Sequence, residues 1–285
     1  MIRIGTSGYF FPEWRGNAYP RNLKTADMLW YYQNYLGFDM VELDFTYYTF
    51  PQARTMEKIA LKTHDGFQFL VKANRVMTHE RRTFHSQENM LDREVHVQFL
   101  DALQPLVEQG KLGGVLFQFP RSFTYSSKAM ACLARSRQLM KTIPMAVEFR
   151  SSSWNREESF EFLQGNDMVF CSADQYADER TMPFVNRTTS CTAAYFRFHG
   201  RGESWVDETN QMKHQHLYSE SDLAAFKETI LRVAQNTRTT YICFNNCHAG
   251  AAARNARQLK KMLGMVEGGN GLTADVFEAS PGFGS

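Results

Sequence analysis

The sequence predicts an α/β fold, a (β/α)8 TIM barrel in a single domain. Three observations carry this: eight short β-rich runs recur along the chain, helical stretches separate them, and 285 residues suit one such barrel. In order, the runs are Ile2–Thr6, Met40–Phe45, Phe67–Val71, Gly114–Phe119, Met145–Phe149, Met168–Ala173, Ala194–His199 and Thr240–Asn245. Helical character marks Ala26–Tyr35, Arg93–Gln109, Lys128–Met140, Ser221–Ala234 and Ala251–Leu263. Strands alternating with helices favour a parallel sheet, and eight units favour its closure. An open doubly wound sheet is the alternative. Its dinucleotide fingerprint is incomplete, because Gly5-Thr6-Ser7-Gly8 lacks the third glycine and does not lead straight into a helix. The barrel is expected over residues 1–263, with the glycine-rich stretch 264–285 as a loosely held tail. Two insertions, 74–92 and 200–218, follow the C-terminal ends of strands, where barrels build their sites.

Composition narrows the function classes. Hydrophobic residues make up 43% and charged residues 22%, ordinary values for a globular domain. The net charge of +2 provides no global basic field, so any attraction for anions must be local. No apolar run approaches the ~20 residues that a membrane helix needs, and no secretory signal opens the chain. The five cysteines are odd in number and scattered. A reduced, cytoplasmic protein without a membrane partner is expected. Cys243 and Cys247 could form half of a metal site, but the usual second pair is absent.

Strand alternation points charges toward the barrel interior. Val41 and Leu43 oppose Glu42 and Asp44; Phe69 and Val71 oppose Gln68 and Lys72; Phe117 and Phe119 oppose Gln118. Val147 and Phe149 oppose Glu148 and Arg150; Phe196 and Phe198 oppose Arg197 and His199; Ile242 and Phe244 oppose Tyr241 and Asn245. On the sixth run Val169, Cys171 and Ala173 oppose Ser172 and Asp174. The aromatic face needs dry partners under the helices, which leaves the polar face inside. Buried charges must then pair: Glu42, Asp44, Glu148 and Asp174 against Lys72, Arg150 and Arg197. A purely structural ion-pair lattice is the bland reading of this set. It suits Glu148 and Arg150 best.

A long series of ordered motifs identifies a family. It opens with Gly5-Thr6-Ser7-Gly8, Pro12-Glu13-Trp14 and Tyr19-Pro20, then Val41-Glu42-Leu43-Asp44 and Thr46-Tyr47-Tyr48. Val71-Lys72-Ala73-Asn74-Arg75, Thr78-His79, Leu116-Phe117-Gln118-Phe119-Pro120, Val147-Glu148-Phe149-Arg150 and Ser153-Trp154 follow. Arg197-Phe198-His199-Gly200-Arg201, Phe244-Asn245-Asn246, His248, Gly250 and Asn255-Ala256 close it. From about Ile4 to Leu263 the chain resembles the YecE-like family, known as domain of unknown function 72. The resemblance implies a barrel similar in shape to metal-dependent endonucleases and sugar isomerases. It implies no established activity. Asp44 stands where the family usually has asparagine, and Cys247 between Asn246 and His248 is a second departure.

Four constellations could carry chemistry. The basic and imidazole-rich set is Lys72, Asn74, Arg75, His79, Arg150, Arg197, His199 and Arg201, suited to holding an anion or moving a proton. Arg81 and Arg82 read more simply as a solvated loop face. The carboxylates Glu42, Glu148 and Asp174 could form a general acid–base pair, as in glycoside hydrolysis, although ion pairing is the simpler reading for each. A metal set of His79, Glu148, Asp174, His199 and His248 is disfavoured by the nearby cations. Loop aromatics, among them Tyr9, Phe10, Trp14, Tyr47, Tyr48, Trp154, Trp205 and Tyr218, could stack a ring or simply fill core. Asn245, Asn246 and the glycine before the last helix could cradle a phosphate.

The expected function is that of an enzyme, a hydrolase or isomerase, binding a phosphorylated or otherwise anionic substrate at the C-terminal mouth. Glu42, Glu148 and His199 are the expected acid–base residues. Lys72, Asn74, Arg75, His79, Gln118, Arg150, Asp174, Arg197, Arg201, Asn245 and Asn246 are the expected substrate contacts. No metal or cofactor is required. A non-catalytic module for nucleic acid or another ligand, and a glycoside hydrolase built on the carboxylate pair, are the alternatives. The anion preference is expected to come from the outer ring of Arg75, His79, Arg201 and Asn246.

Overall fold

A computed structural model describes residues 1–79, 90–202 and 216–265, with no side-chain description for 90–92. Arg81, Arg82, Trp205 and nearly all of the expected tail lie outside the described residues.

Eight parallel strands form the wall: β1 (Ile2–Thr6), β2 (Met40–Leu43), β3 (Gln68–Lys72), β4 (Leu112–Gln118), β5 (Met145–Glu148), β6 (Met168–Gln175), β7 (Ala193–Gly200) and β8 (Thr239–Phe244). The order β1-β8-β7-β6-β5-β4-β3-β2 leaves β1 and β2 at its two ends, and a bridge between Ser7 and Glu42 joins them into a TIM barrel, as expected. Around it, among the described residues, run the helices α1 (Met28–Asn34), α2 (Ala53–Leu61), α3 (Arg75–Thr78), α4 (Met90–Glu108), α5 (Ser127–Leu139), α6 (Glu157–Gly165), α7 (Glu220–Ala234) and α8 (Ala251–Met262). Helix starts follow ordinary capping chemistry. Ser126 accepts from the Ala129 amide to start α5, and Ser219 with Asp222 forms a reciprocal capping box at α7. α2, α3 and α6 were not foreseen. They are short, and each has only two or three positions sealed in the core, too few for a clear period of 3.6.

The seam between β1 and β2 relies on particular residues. Ser7 bridges to Glu42, and the Gly8 amide donates to the Glu42 carbonyl at 2.8 Å. Lower down, the Tyr32 phenol accepts from the Thr6 amide at 2.8 Å and donates to the Met40 carbonyl at 2.9 Å. Gly5 permits the approach, since a Cβ there would lie 2.1 Å from the Met40 carbonyl oxygen.

Two apolar layers result. Outside the wall, Val41, Leu43, Phe69, Val71, Phe117, Val147, Phe196, Phe198, Ile242 and Phe244 pack under the helices. Trp14 and Trp154 are fully buried there, which settles their role as core. Trp154 stacks on Phe149 at 4.1 Å, and its indole donates to the Phe123 carbonyl at 2.7 Å. Tyr218 is core as well. Inside the wall, Met40, Leu70, Leu116, Ala146, Val169, Cys171, Tyr195, Tyr241 and Cys243 fill the lower barrel. The interior is therefore apolar in this lower layer and carries paired charges above it.

One expectation fails on β6. Val169 and Cys171 point inward, while Ser172 and Asp174 point outward. The cause lies in the sixth crossover, which has no helix across residues 176–192. An irregular strap covers the outer face of β6 instead, and its backbone needs polar partners. Ser172 Oγ donates to the Val185 carbonyl at 2.7 Å, and Thr189 Oγ1 joins the Met168 carbonyl to the Phe170 amide. A strap rewards polar residues where a helix would reward aromatic ones, so the two faces of this strand exchange character.

Candidate functional site

The upper interior holds a sealed plate of paired charges. β2, β5 and β7 aim Glu42, Glu148, Arg197 and His199 at one another; Glu42, Glu148 and His199 are 0% exposed and Arg197 is 1% exposed. Arg197 donates to Glu42 Oε1 at 2.6 Å and to Glu148 Oε2 at 2.5 Å. Ser7 Oγ and the Tyr195 hydroxyl also donate to Glu42. Arg150 Nε lies 2.6 Å from Glu148 Oε1, while its Nη atoms reach Gln175 at 2.5 Å and Gln118 at 3.3 Å. Both guanidinium groups approach His199 Nε2, at 3.2 and 3.3 Å, and Asn245 meets Nδ1 at 2.8 Å. Nε2 also lies 3.3 Å from Glu148 Oε1, and the Asn245 group at Nδ1 is its Nδ2 amide.

The electrostatics follow from this packing. Burial alone would push the Glu148 carboxyl up, but Arg150, Arg197 and His199 outweigh it and hold it well below the usual range. Burial and the Arg150 charge keep His199 neutral, far below its ordinary value. Neither carboxylate faces the mouth, and both are bridged by one guanidinium, so they cannot flank a glycosidic bond. The glycoside-hydrolase alternative falls on that geometry.

Above the plate lies a second, half-buried layer: Lys72, Asp44, Tyr47, His79, Gln118 and Asn245. Lys72 projects from the end of β3, with Nζ 4.5 Å from the centroid of the Tyr47 ring. Among the described residues its Nζ has neither a hydrogen bond nor an ion pair. Burial first, then Arg197 and Arg150, lower its pKa to about 8 against the opposing pull of Glu42 and Glu148. Asp44 is pushed upward by burial and by Glu42, with Lys72 opposing. His79 caps α3, meets Thr78 Oγ1 at 2.8 Å and stands edge-on to Tyr47. Burial, Lys72 and Arg150 lower its pKa to about 4.

Several expected contacts lie elsewhere. Asn74 is spent on local structure, its amide donating to the Thr46 carbonyl at 2.8 Å and accepting from the Val76 amide. Arg75 is exposed at the start of α3. Asp174 faces outward, accepting from the Tyr218 hydroxyl at 2.7 Å and from Arg201 through Nε and Nη2 at 3.0–3.1 Å. Arg201 is further held by Asp222 at 2.8 Å, which commits it to a clamp rather than to the mouth. Asn246 is fully buried and donates to the His216 carbonyl and to Asn255. The phosphate cradle before the last helix is occupied by protein: a Cβ on Gly250 would lie 3.2 Å from the Ala18 side chain, and Ala251–Ala253 are buried. The outer ring therefore reduces to Arg75 and His79. Of the residues weighed as a metal set, Asp174 is turned away, and among the described residues no group of three or more His, Cys, Asp or Glu is placed to hold a metal.

Three partners, Tyr195, Ser7 and Gln175, lie outside the candidate sets, and Tyr47 is named there only as an aromatic that could stack a ring. Tyr195 shares the face of Arg197 by simple alternation and was legible. Ser7, Gln175 and Tyr47 lie on a bridge, at a register shift and on a 3-10 turn, where alternation stops applying. None of the five cysteines is in a disulfide. Among the described residues no helix is long and apolar enough to cross a membrane.

Comparison with known proteins places this barrel. UPF0759 protein YunF of Bacillus subtilis (strain 168) is 30% identical over 277 residues, covering 92% of this chain and 95% of its own. A DUF72 family protein from Thermotoga maritima MSB8 superposes with a TM-score of 0.86 at 39% identity, over 93% of this chain and 99% of that one. Another from Enterococcus faecalis V583 superposes with a TM-score of 0.76 at 25% identity, over 93% and 98%. The family described as "Protein of unknown function DUF72" matches residues 3–275, and the chain belongs to that family.

Proposed function

We propose that this protein is an enzyme that takes a small phosphorylated or otherwise anionic substrate at the C-terminal mouth of the barrel, with Lys72 as its anion contact. One observation carries the reading: Lys72 is a half-buried ammonium without a counter-ion among the described residues. Arg150, Arg197 and Lys72 stand against Glu42 and Glu148, three positive charges against two negative ones, which leaves one in excess. Asp44, the nearby carboxylate, is raised by burial and by Glu42 and forms no ion pair with Lys72. A bound anion supplies the missing charge where water is scarce and the pairing is worth most.

In this reading Glu42, Glu148 and His199 are positioning residues that hold the floor of the site rigid. Gln118 and Asn245, half-buried at strand ends, supply polar contacts, and Asp44 and His79 flank the lysine. Exposed Phe45 and Tyr48, beside Tyr47, favour a ligand that carries an apolar or planar part. An extended nucleic acid fits less well, because Arg201 is engaged by Asp174 and Asp222 and the net charge is only +2. Cysteines outside disulfides accord with a reducing, cytoplasmic setting.

Calorimetric titration with inorganic phosphate near pH 7 tests the reading. Saturable binding that Lys72→Met abolishes, with the fold intact by circular dichroism, is expected. Binding that survives Lys72→Met, or no binding to the wild-type protein, refutes it. Product formation from phosphorylated substrates separates an enzyme from a binding module.

A further inference from the structure

Lys72 differs in kind from the other cations of the barrel. Arg150 and Arg197 each hold a carboxylate, and the lysine at the bottom of the barrel, Lys111, gives its ammonium to the Ala60 and Thr63 carbonyls at 2.8 Å. Lys72 Nζ has no such acceptor among the described residues and rests against the Tyr47 ring. It stands at a strand end in the mouth, with two guanidinium charges nearby whose own carboxylates are already taken. Desolvation together with adjacent cations is the environment that turns a lysine into an amine nucleophile.

We propose that Lys72 forms an imine with a carbonyl substrate that carries an anionic group. This rests on the anionic-substrate reading and deepens it by naming the second functional group of the substrate. The Nζ lone pair adds to the carbonyl carbon. The π pair of the C=O bond moves to oxygen, which takes a proton as nitrogen gives one up, and a carbinolamine results. The nitrogen pair then expels that oxygen as water. Amine, carbonyl and one proton delivered by Asp44 become a protonated imine plus one water, and no oxidant or reductant is consumed. Asp44 is the proton carrier for the leaving hydroxyl: it starts the 3-10 turn that sets Tyr47 against Lys72, and burial raises its carboxyl above the ordinary value. The protonated imine keeps the positive charge of the ammonium, so the complement to the anionic group survives the covalent step. With the lysine pKa at about 8, roughly a quarter of the side chain is free amine at pH 7.5, against about one part in a thousand for an ordinary lysine.

The test uses a matched pair of probes. Pyridoxal 5′-phosphate is an anionic aldehyde, and pyridoxine 5′-phosphate is the same molecule with an alcohol in place of the aldehyde. The whole chain is incubated with the aldehyde at pH 7.5, reduced with borohydride and mapped by peptide mass spectrometry. Lys72 is expected to gain the reduced adduct at least about tenfold faster than the exposed Lys58 and Lys62, as its larger free-amine fraction requires. Asp44→Asn is expected to slow the adduct about tenfold or more, the usual scale for losing a positioned proton donor. Lys72→Arg keeps the charge and is expected to retain pyridoxine 5′-phosphate binding without any adduct at position 72. Label spread over surface lysines, with none concentrated on Lys72, overturns the imine. If pyridoxine 5′-phosphate still binds in a Lys72-dependent way in that case, the anion reading stands alone; if it does not bind, both fall.

Discussion

Arg197 joins the two buried carboxylates of the barrel into one unit, donating to Glu42 across the barrel at 2.6 Å and to Glu148 at 2.5 Å. The fork geometry of a guanidinium makes this bridging possible, and each carboxylate has further donors in Ser7, Tyr195 and Arg150. The plate is costly to break, because neither carboxylate can reach water.

Arg197→Met is expected to lower stability by about 3–5 kcal/mol, since it strands two charges in the interior. Arg197→Lys is expected to recover little of this, because an ammonium cannot serve both carboxylates in one plane. Urea denaturation of the two variants checks both statements. A loss under about 1 kcal/mol for Arg197→Met would show that the plate relaxes or hydrates when opened.

Acid should destabilise the protein in two stages. In the unfolded chain His79 and His199 titrate near 6.5, whereas in the fold His79 is lowered to about 4 and His199 well below its ordinary value. Across that interval the unfolded chain binds more protons, so stability falls as pH drops from 6.5 toward 4. Glu148 is held well below 4.5, so its contribution is intact above that pH and is lost on further acidification. Denaturation midpoints measured against pH should show both stages, and His79→Gln should flatten the first. An unchanged slope in that variant contradicts the assignment.

Anion binding should weaken as pH rises through about 8, where the free Lys72 ammonium loses its proton. The sign follows from linkage: an anion favours the charged lysine, so binding takes up a proton wherever that lysine is neutral. Lys72→Arg should carry phosphate binding to higher pH, because arginine stays charged. Calorimetric titration at pH 6.5, 7.5 and 9 reads the effect, and a pH-independent affinity in the wild-type protein would remove Lys72 from the contact.

Asp174→Ala should cost about 1–3 kcal/mol by orphaning the Tyr218 hydroxyl, and should leave phosphate binding intact. Its partners Arg201 and Tyr218 lie outside the wall, away from Lys72. Lost phosphate binding with unchanged stability would place Asp174 in the mouth after all.

The sequence alone determined the eight strands to within two residues at each end, the closed barrel, the family, and the inward direction of Glu42, Lys72, Glu148, Arg150, Arg197 and His199. Alternation is a local property that each strand carries for itself, so it is legible without the rest of the fold. Tertiary structure decided what those side chains meet. Arg197 and Glu42 are 155 residues apart, and no pattern in either segment names the other as partner. Tertiary structure also decided which side of β6 is dry, because a strap rather than a helix covers it, and so sent Asp174 outward. The charged mouth expected from the strand pattern is thus two layers: a sealed plate in which every carboxylate is matched, and above it a lysine left over. The long-range pairing of the other charges is what leaves Lys72 available.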